Sequence, residues 1–315
     1  MKLEQVLFPH IGVCRLVMRA EANELAAAIQ VVQHENAALA GDDLMNAAVN
    51  RALMDGISPV YQQAVQENDL IPIKDPSFDL IHFQPDEGFV AAAEFYIVPP
   101  LTLGQYTGFV QLIEAKPVRE FEILMDINQH QSEAYDAADE AGKREMGLEA
   151  AARLYARNCR LAEEPAKRRL LLQLGDHVTG PLNESLLNVI FLEELRNFFL
   201  RLEANKLSFD MYLQATHQTH EDWEAELHRT TERKLRSEMG LLLVAKAEGL
   251  ALTAEQVTQE LQNWNVAKYQ KPTFLANDVR RIRQHLTKDL AREFILAHST
   301  LIPPAAEPVI QKAEP

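Results

Sequence analysis

Two histidines three residues apart are the closest approach in this chain to a metal-binding pattern. His217 and His220 could share one face of a helix, and Glu221 follows the second of them. However, Thr219-x-x-Asp222 is a capping pattern that predicts the start of a helix between the two histidines. The HExxH motif of zinc enzymes is absent. The stretch therefore predicts a solvated helix start, and we predict no metal ligands.

The other candidate reactive groups are two cysteines and two pairs of adjacent acids. Cys14 and Cys159 cannot supply a four-ligand metal site. A cysteine nucleophile needs a nearby histidine and a lowered pKa, neither of which the sequence indicates. We expect buried thiols in a reducing compartment. Neighbouring acids at 163–164 and 193–194 point about 100° apart on a helix and form no carboxylate pair. With no GxxxxGK[ST] phosphate loop either, we predict no catalytic residues, no cofactor and no enzymatic activity.

The composition narrows the classes of partner. The 315 residues carry 31 basic and 46 acidic side chains, a formal net charge of -15. This charge disfavours unaided binding to DNA or RNA, which needs a clustered positive surface. No signal peptide and no apolar stretch of about 18 residues is recognisable. We therefore expect a cytoplasmic protein that does not bind membranes.

Strand and helix patterns are mixed in the first third of the chain. The turn sequence PDEG at 85–88 separates two apolar runs and predicts a β-hairpin. Ser58-Pro59 has the cap hydroxyl and the first-turn proline of a helix start. The predicted strands are 12–18, 78–83, 89–98 and 109–113, and the predicted helices are 21–34, 44–54 and 58–68.

From about Val118 the pattern is helical, and no further strand is predicted. Ser208, Thr219 and Thr253 are predicted N-caps, and Gly249 is placed where a long helix should end. The predicted helices are 120–141, 146–176, 181–205, 209–216, 220–248, 254–262 and 279–298. Together these patterns predict an α+β fold with an α+β domain at 1–113, a helical domain at 114–302, and a proline-rich disordered tail at 303–315.

Three stretches are similar to a known family in their order and spacing. Residues 89–108 (FVAAAEFYIVPPLTLGQYTG) combine a strand, a proline-containing extended segment and a G-x-Y-x-G exit. Residues 178–195 (VTGPLNESLLNVIFLEEL) open a helix, and residues 202–261 hold a short helix, a T-x-x-x-W start and a long helix ending LLLVAKAEG. This succession resembles trigger factor over nearly the whole chain. The resemblance implies a ribosome-binding-like α+β domain followed by a helical chaperone domain with arms.

Two departures from the family limit what the resemblance implies. The family's Gly-Phe-Arg-Lys-type docking loop falls at 36–43, which here reads NAALAGDD, without arginine, lysine or aromatic residues. An acidic loop argues against standard ribosome docking, because ribosomal RNA attracts cations. The family's prolyl isomerase domain is also missing, because only eight residues separate Phe109 from Val118. We therefore do not expect isomerase activity.

A chaperone of this kind needs apolar surface that unfolded chains can reach. The helix around residues 186–202 carries apolar residues on too many sides for one narrow stripe, so it is either buried or presents one side to clients. The candidate client-binding residues are Phe191, Leu195, Phe198, Phe199, Leu202, Phe209, Met211 and Tyr212. The sequence predicts an ATP-independent holdase for unfolded or nascent polypeptides. A scaffold for one dedicated protein partner is the alternative, and a homodimer is a hypothesis that would shield such a surface.

Overall fold

The structure is a computed structural model that describes residues 1–268, 276–305, 308 and 310–311. The described residues group into two compact units. The first unit comprises Met1–Leu103 and Val178–Lys288, and the second comprises Gly104–His177 and Asp289–Pro315. The predicted division at residues 113 and 302 is a different one and stays a prediction.

Strands are concentrated near the N-terminus, and short ones recur later in the chain. The strands are β1 (Lys2–Leu7), β2 (Val13–Glu21), β3 (Ser77–Gln84), β4 (Gly88–Tyr96), β5 (Thr102–Leu103), β6 (Val110–Leu112), β7 (Val118–Arg119), β8 (Val178–Thr179), β9 (Thr300–Ile302) and β10 (Ile310–Gln311).

Helices make up most of the remaining described chain. They are α1 (Ala22–Glu35), α2 (Gly41–Glu67), α3 (Glu120–His130), α4 (Ser132–Ala137), α5 (Glu140–Asp176), α6 (Glu184–Ala204), α7 (Phe209–Thr216), α8 (His220–Ala247), α9 (Ala254–Lys268) and α10 (Ala276–Ala297). The predicted α+β class is confirmed.

A four-stranded antiparallel sheet forms the N-terminal part of the first unit, in the order β1-β2-β4-β3. The helices α1 and α2 cover one face, since alternate residues of β2 and β4 are buried against them. The other face carries charged side chains: Arg15 on β2 pairs with Glu94 on β4 at 3.1 Å and approaches Asp79 on β3 at 3.6 Å. The sheet therefore has one face covered by helices and one solvated face with charged side chains, although Val90 and Ala92 of β4 are buried on that second face.

The hairpin of β3 and β4 lies where the PDEG turn predicts it. Gly88 has φ +95°, and a Cβ built on it would overlap the carbonyl oxygen of Ala20. Only glycine fits that close approach of backbone to backbone. The strand β1 was not predicted, because its sequence KLEQVL has only partial alternation and lies at the sheet edge.

One predicted helix boundary is wrong. Ser58-Pro59 does not begin a new helix, because α2 runs unbroken through Pro59 from Gly41 to Glu67. A proline inside a helix removes one hydrogen bond. Here α2 is buried on both sides of it, at Val49 and at Val60, and such tertiary packing outweighs the local signal.

The prediction that no strand follows Val118 is also wrong. The strands β7 to β10 are two or three residues long, too short to produce an alternating pattern. They form by pairing with distant segments: β6 lies parallel to β9, β7 lies parallel to β10, and β5 lies antiparallel to β8. The disordered tail predicted from residue 303 stays a prediction, although β10 lies within it.

Helix positions otherwise follow the local signals closely. The prediction for 209–216 is matched residue for residue by α7, and α8 ends one residue earlier than predicted. The helix predicted at 120–141 is interrupted at Gln131, which has φ -146°, and divides into α3 and α4. The next helix begins earlier than predicted, because Asp139 caps it by accepting from the Gly142 N–H at 2.8 Å.

Candidate functional site

An aromatic cluster occupies the part of the first unit where α6, α7 and α8 meet. The cluster consists of Phe198, Phe199, Phe209, Tyr212 and Trp223. The ring of Phe198 lies 4.8 Å from that of Trp223 and 5.0 Å from that of Tyr212, measured between centroids. Several of these pairs are edge-to-face, the arrangement that aromatic quadrupoles favour. The rings therefore form one packed body.

The base of the cluster is buried and its rim is not. Phe198, Leu202 and Trp223 are buried. Phe199, the next residue after Phe198, is 43% exposed, and Met211 is 55% exposed. Because adjacent residues on a helix point about 100° apart, one ring enters the core and the next reaches solvent. The cluster thus presents a supported apolar surface.

Side-chain caps set where the three helices begin. Asn183 caps α6 by accepting from the Leu186 N–H at 2.8 Å, and its amide donates to the Ile11 carbonyl at 2.8 Å. Ser208 caps α7 and Thr219 caps α8, each through the N–H three residues on, at 3.2 and 3.1 Å. The caps predicted at Ser208 and Thr219 are confirmed, as is the third predicted cap, Thr253, which accepts from the Gln256 N–H at 3.2 Å. Each supplies an acceptor for a helix N–H that has no partner within the helix.

The eight predicted client-binding residues fall into three groups. Phe198 and Leu202 are buried, and Phe199 and Met211 are exposed. The half-buried members are Phe191, Leu195, Phe209 and Tyr212. Phe191 lies away from the cluster rings, with its ring 5.6 Å from that of His228. The predicted set therefore mixes core positions with surface positions, and the structure brings most of it to one place.

Sequence reasoning missed two parts of this surface. Trp223 is the buried base of the cluster, and its signal was the T-x-x-x-W start of α8. The other part is Leu192, Leu200 and Leu207, which are exposed on α6 and just beyond its end. No local pattern marks them, because a helix with apolar residues on every side does not show which side stays open.

Residues near the four-stranded sheet of the first unit pack against buried residues of α6 and α8. Leu186 of α6 and Leu235 and Met239 of α8 are buried together, with Ile73 and Tyr96 packed against them. Of the two pairs of adjacent acids, Glu163 and Glu164 both contact Lys167, at 2.9 and 2.8 Å, whereas the acids at 193–194 contact different lysines. Glu193 pairs with Lys74 at 3.0 Å, and Glu194 pairs with Lys234 at 3.1 Å.

The candidate reactive groups remain apart from one another. His217 ends α7 in the left-handed conformation and His220 begins α8, so the two lie on different helices, as predicted. Within the described ranges, no three histidine, cysteine or acidic side chains are placed to hold a metal ion.

Cys14 is fully buried, and burial raises its pKa to about 11. A thiol with that pKa is not a nucleophile near neutral pH. Cys159, predicted to be buried, is half-buried beside Tyr155.

The segment where the docking loop would fall carries no cation in the structure either. Asp42 and Asp43 belong to the first turn of α2, where the helix dipole favours acids. The nearby cation on α2 is Arg51, which pairs with Glu35 at 3.1 Å and Asp55 at 2.7 Å. Hydrogen bonding to Asp55 raises the pKa of Arg51 above its ordinary value.

Two family models match separate parts of the chain. Residues 38–129 match "Bacterial trigger factor protein (TF)", and residues 149–297 match "Bacterial trigger factor protein (TF) C-terminus". Only residues 130–148 separate the two matches, and α4 and the start of α5 lie there. The chain is thus similar to this family in both of its halves.

Two individual proteins also match the chain. The trigger factor of Shouchella clausii (strain KSM-K16) is 26% identical over 101 residues, which are 32% of this chain and 23% of that protein. A solved structure of a trigger factor chaperone, concerned with promiscuous substrate recognition in folding and assembly activities, covers 94% of this chain and 99% of its own, with 12% identity and a TM-score of 0.40. Among the described helices, none is both long enough and apolar enough to span a bilayer.

Proposed function

Since the chain belongs to the trigger factor family, we propose that it is an ATP-independent molecular chaperone for unfolded or nascent polypeptides. The observation that carries the proposal is the aromatic cluster, with its buried base and its exposed rim at Phe199 and Met211. Apolar patches that stay exposed on a soluble protein commonly mark binding surfaces.

Binding of unfolded clients without ATP requires apolar surface area and side chains that adapt to different partners. Burial of apolar surface is worth roughly 25 cal/mol per Å² before the entropy costs of association. Burial of a few hundred Å² of apolar surface at each of several contact sites would therefore give weak, reversible binding of an unfolded client. Met211 adds a flexible thioether that adapts to many partner shapes, which suits a promiscuous surface.

The second candidate function is a scaffold for one dedicated protein partner. The same exposed rim would then bind one specific surface. Breadth separates the two functions: a chaperone suppresses aggregation of unrelated clients, whereas a scaffold copurifies with one protein at a fixed ratio. The mixed rim of aromatic, thioether and leucine side chains favours many clients, because such apolar and flexible groups adapt to partners of different shape.

Several finer points belong to the same proposal. We place the protein in the cytoplasm and assign it no enzymatic activity, since the two family matches leave only residues 130–148 between them for an isomerase domain. The absence of a cation in the segment between α1 and α2 argues against ribosome docking through that segment. We retain the division into domains 1–113 and 114–302, and self-association into a homodimer, as proposals.

The test is the aggregation of chemically unfolded clients after dilution, with and without this protein, in the absence of ATP. Wild type should suppress aggregation of several unrelated clients at near-stoichiometric ratios. The double variant Phe199→Ser/Met211→Ser should lose most of that suppression, because it removes the exposed rim and leaves the buried base in place. A matched control is Leu161→Ser, which changes a 67% exposed leucine on α5 of the second unit.

Two results would count against the proposal. If wild type suppresses no client, the general chaperone function is wrong and the dedicated scaffold is the function to pursue. If the double variant and the Leu161→Ser control suppress aggregation equally well, the aromatic cluster is not the client-binding surface. Thermal unfolding of each variant should match that of wild type. A loss of aggregation suppression is then not caused by unfolding of the variant.

A further inference from the structure

We infer that the open edge of β3 is a second peptide-binding site, which takes an extended segment with alternating apolar and basic residues as a fifth strand of the sheet. The site is separate from the aromatic cluster. The inference rests on the proposed function only for the kind of partner, an unfolded or extended polypeptide.

The first observation is the backbone of the edge. β3 pairs with β4 on one side, and no described strand lies on the other. Every second residue of such a strand directs its N–H and C=O away from the sheet, where another chain can pair with them. The pairing with β4 is regular from Ser77 to Leu80, and then a bulge at Ile81 shifts the register. Residues 77–80 thus offer a straight edge.

The second observation is the apolar side chains along that edge. Phe78 is 39% exposed and Leu80 is 50% exposed, and both lie opposite alanines of β4 that face the α1–α2 side. A cleft of about 240 Å³ lies between Phe78 and α2, lined by Asn50, Leu53, Met54 and Phe78. A strand added beside β3 would direct every second side chain toward this cleft. Those positions of the partner would be apolar.

The third observation is the charge on the opposite face of the same edge. Asp79, between Phe78 and Leu80, points to the solvated face, and its side chain is 65% exposed. Strand β3 (77–84) contains no lysine or arginine, and Arg15 on β2 is shared between Asp79 and Glu94, so one cation faces two acids on this face. Natural sheets commonly protect an exposed edge with lysine, and this edge has none. The alternate positions of a partner strand would therefore be basic.

The charge also argues against a second copy of this chain as the occupant. Two β3 edges paired with each other would bring Asp79 of both copies onto one ribbon, with no cation in either strand. Like charges on neighbouring strands are destabilising, and each chain carries a formal net charge of -15. A basic peptide would be attracted by Asp79, whereas a second copy of this chain would be repelled by it.

The test uses a fluorescein-labelled ten-residue peptide of alternating valine and lysine, titrated with the full chain and followed by anisotropy. Wild type should bind it. Leu80→Ser and Met54→Ser should each raise the Kd fivefold or more. Leu148→Ser, which changes a similarly exposed leucine on α5, should change the Kd less than twofold. Replacing the lysines by glutamates, or the central valine by proline, should raise the Kd at least tenfold. Hydrogen exchange at residues 77–80 should slow in the complex.

Each failure has a distinct meaning. If the peptide does not bind, if the glutamate peptide binds equally well, or if Leu80→Ser and Met54→Ser both leave its Kd unchanged, the edge site is wrong. Aggregation suppression by wild type would then still support the chaperone function. If the peptide binds as expected but no client is protected from aggregation, the edge site stands and the proposed function fails. Phe199→Ser/Met211→Ser should leave peptide binding unchanged, because it alters only the aromatic cluster.

Discussion

The aromatic cluster of α6–α8 and the edge of β3 both expose apolar side chains, but they differ in what lies beneath and beside them. In the cluster, Phe199 leans on the buried rings of Phe198 and Trp223, and the backbone of all three is already hydrogen-bonded within helices. At the edge, Phe78 and Leu80 stand on a strand with one side unpaired. In the proposed binding modes, the cluster would therefore recognise side chains, whereas the edge would also recognise backbone.

This difference predicts different partners for the two surfaces. A surface that contacts only side chains accepts a segment in any conformation, at the price of weak binding at each contact. An open strand requires an extended segment in register, because its hydrogen bonds fix the spacing. The two surfaces would thus act on different parts of the same unfolded chain.

The largest effect on stability is expected from removing a buried ring of the aromatic cluster. Phe198→Ala removes a ring that contacts four others and should lower the free energy of unfolding by about 3–5 kcal/mol. Phe199→Ala should cost less than about 1 kcal/mol, because exposed positions are tolerant. Urea unfolding followed by Trp223 fluorescence, in a Trp264→Phe background, measures both. Equal losses at the two positions would contradict the division into base and rim.

The next effect is on the turn that holds the edge in place. Gly88→Ala should lower the free energy of unfolding by about 2–3 kcal/mol, because alanine is strained at φ +95° and its Cβ would overlap the Ala20 carbonyl. Hydrogen exchange should show the loss in β3 and β4 while α6 and α8 keep their protection. Gly249→Ala is the control for positive φ without crowding, since a Cβ there meets nothing within 4 Å. If Gly249→Ala is as costly as Gly88→Ala, the close approach at Gly88 is not the cause.

A smaller effect on stability, which depends on pH, is expected from the buried Cys14 thiol on β2. Burial raises the pKa of Cys14 from 9.0 to about 11, so the folded state holds that proton more tightly than the unfolded state. The contribution to stability is complete below pH 9 and declines as the pH rises toward 11, by roughly 1.4 kcal/mol at pH 10. The measurement is the difference in urea unfolding between wild type and Cys14→Ala at pH 8 and pH 10. A difference that is independent of pH would refute it.

The smallest effect concerns charge at the edge. Asp79→Asn should weaken binding of the valine–lysine peptide about two- to threefold, because exposed ion pairs contribute little in water. The effect should vanish in roughly 1 M salt, where the screening length is about 3 Å. Asp210→Asn, an exposed acid on α7, is the control and should leave peptide binding unchanged. If Asp210→Asn weakens binding as much as Asp79→Asn, the attraction is that of the whole chain and not of the edge.

Local signals were sufficient for much of the fold. The caps at Ser208 and Thr219, the turn before Gly88 and the apolar periodicity of the long helices involve residues within one or two turns of each other. Such interactions are present in the chain before any tertiary contact forms, so the sequence predicts them. The continuous helix through Pro59 shows where this reasoning fails, because packing at Val49 and Val60 outweighs a local helix-start signal.

The sequence by itself determined the family, the α+β class, the starts of α7 and α8 and the lack of a motif for metal or nucleotide chemistry. Only the tertiary structure decided that Phe198 is core while its neighbour Phe199 is surface, and that β3 is left at an edge. The physical reason is that burial depends on what packs against a residue. For Phe198 that partner is Trp223 on another helix, and for β3 it is the strand order of the sheet.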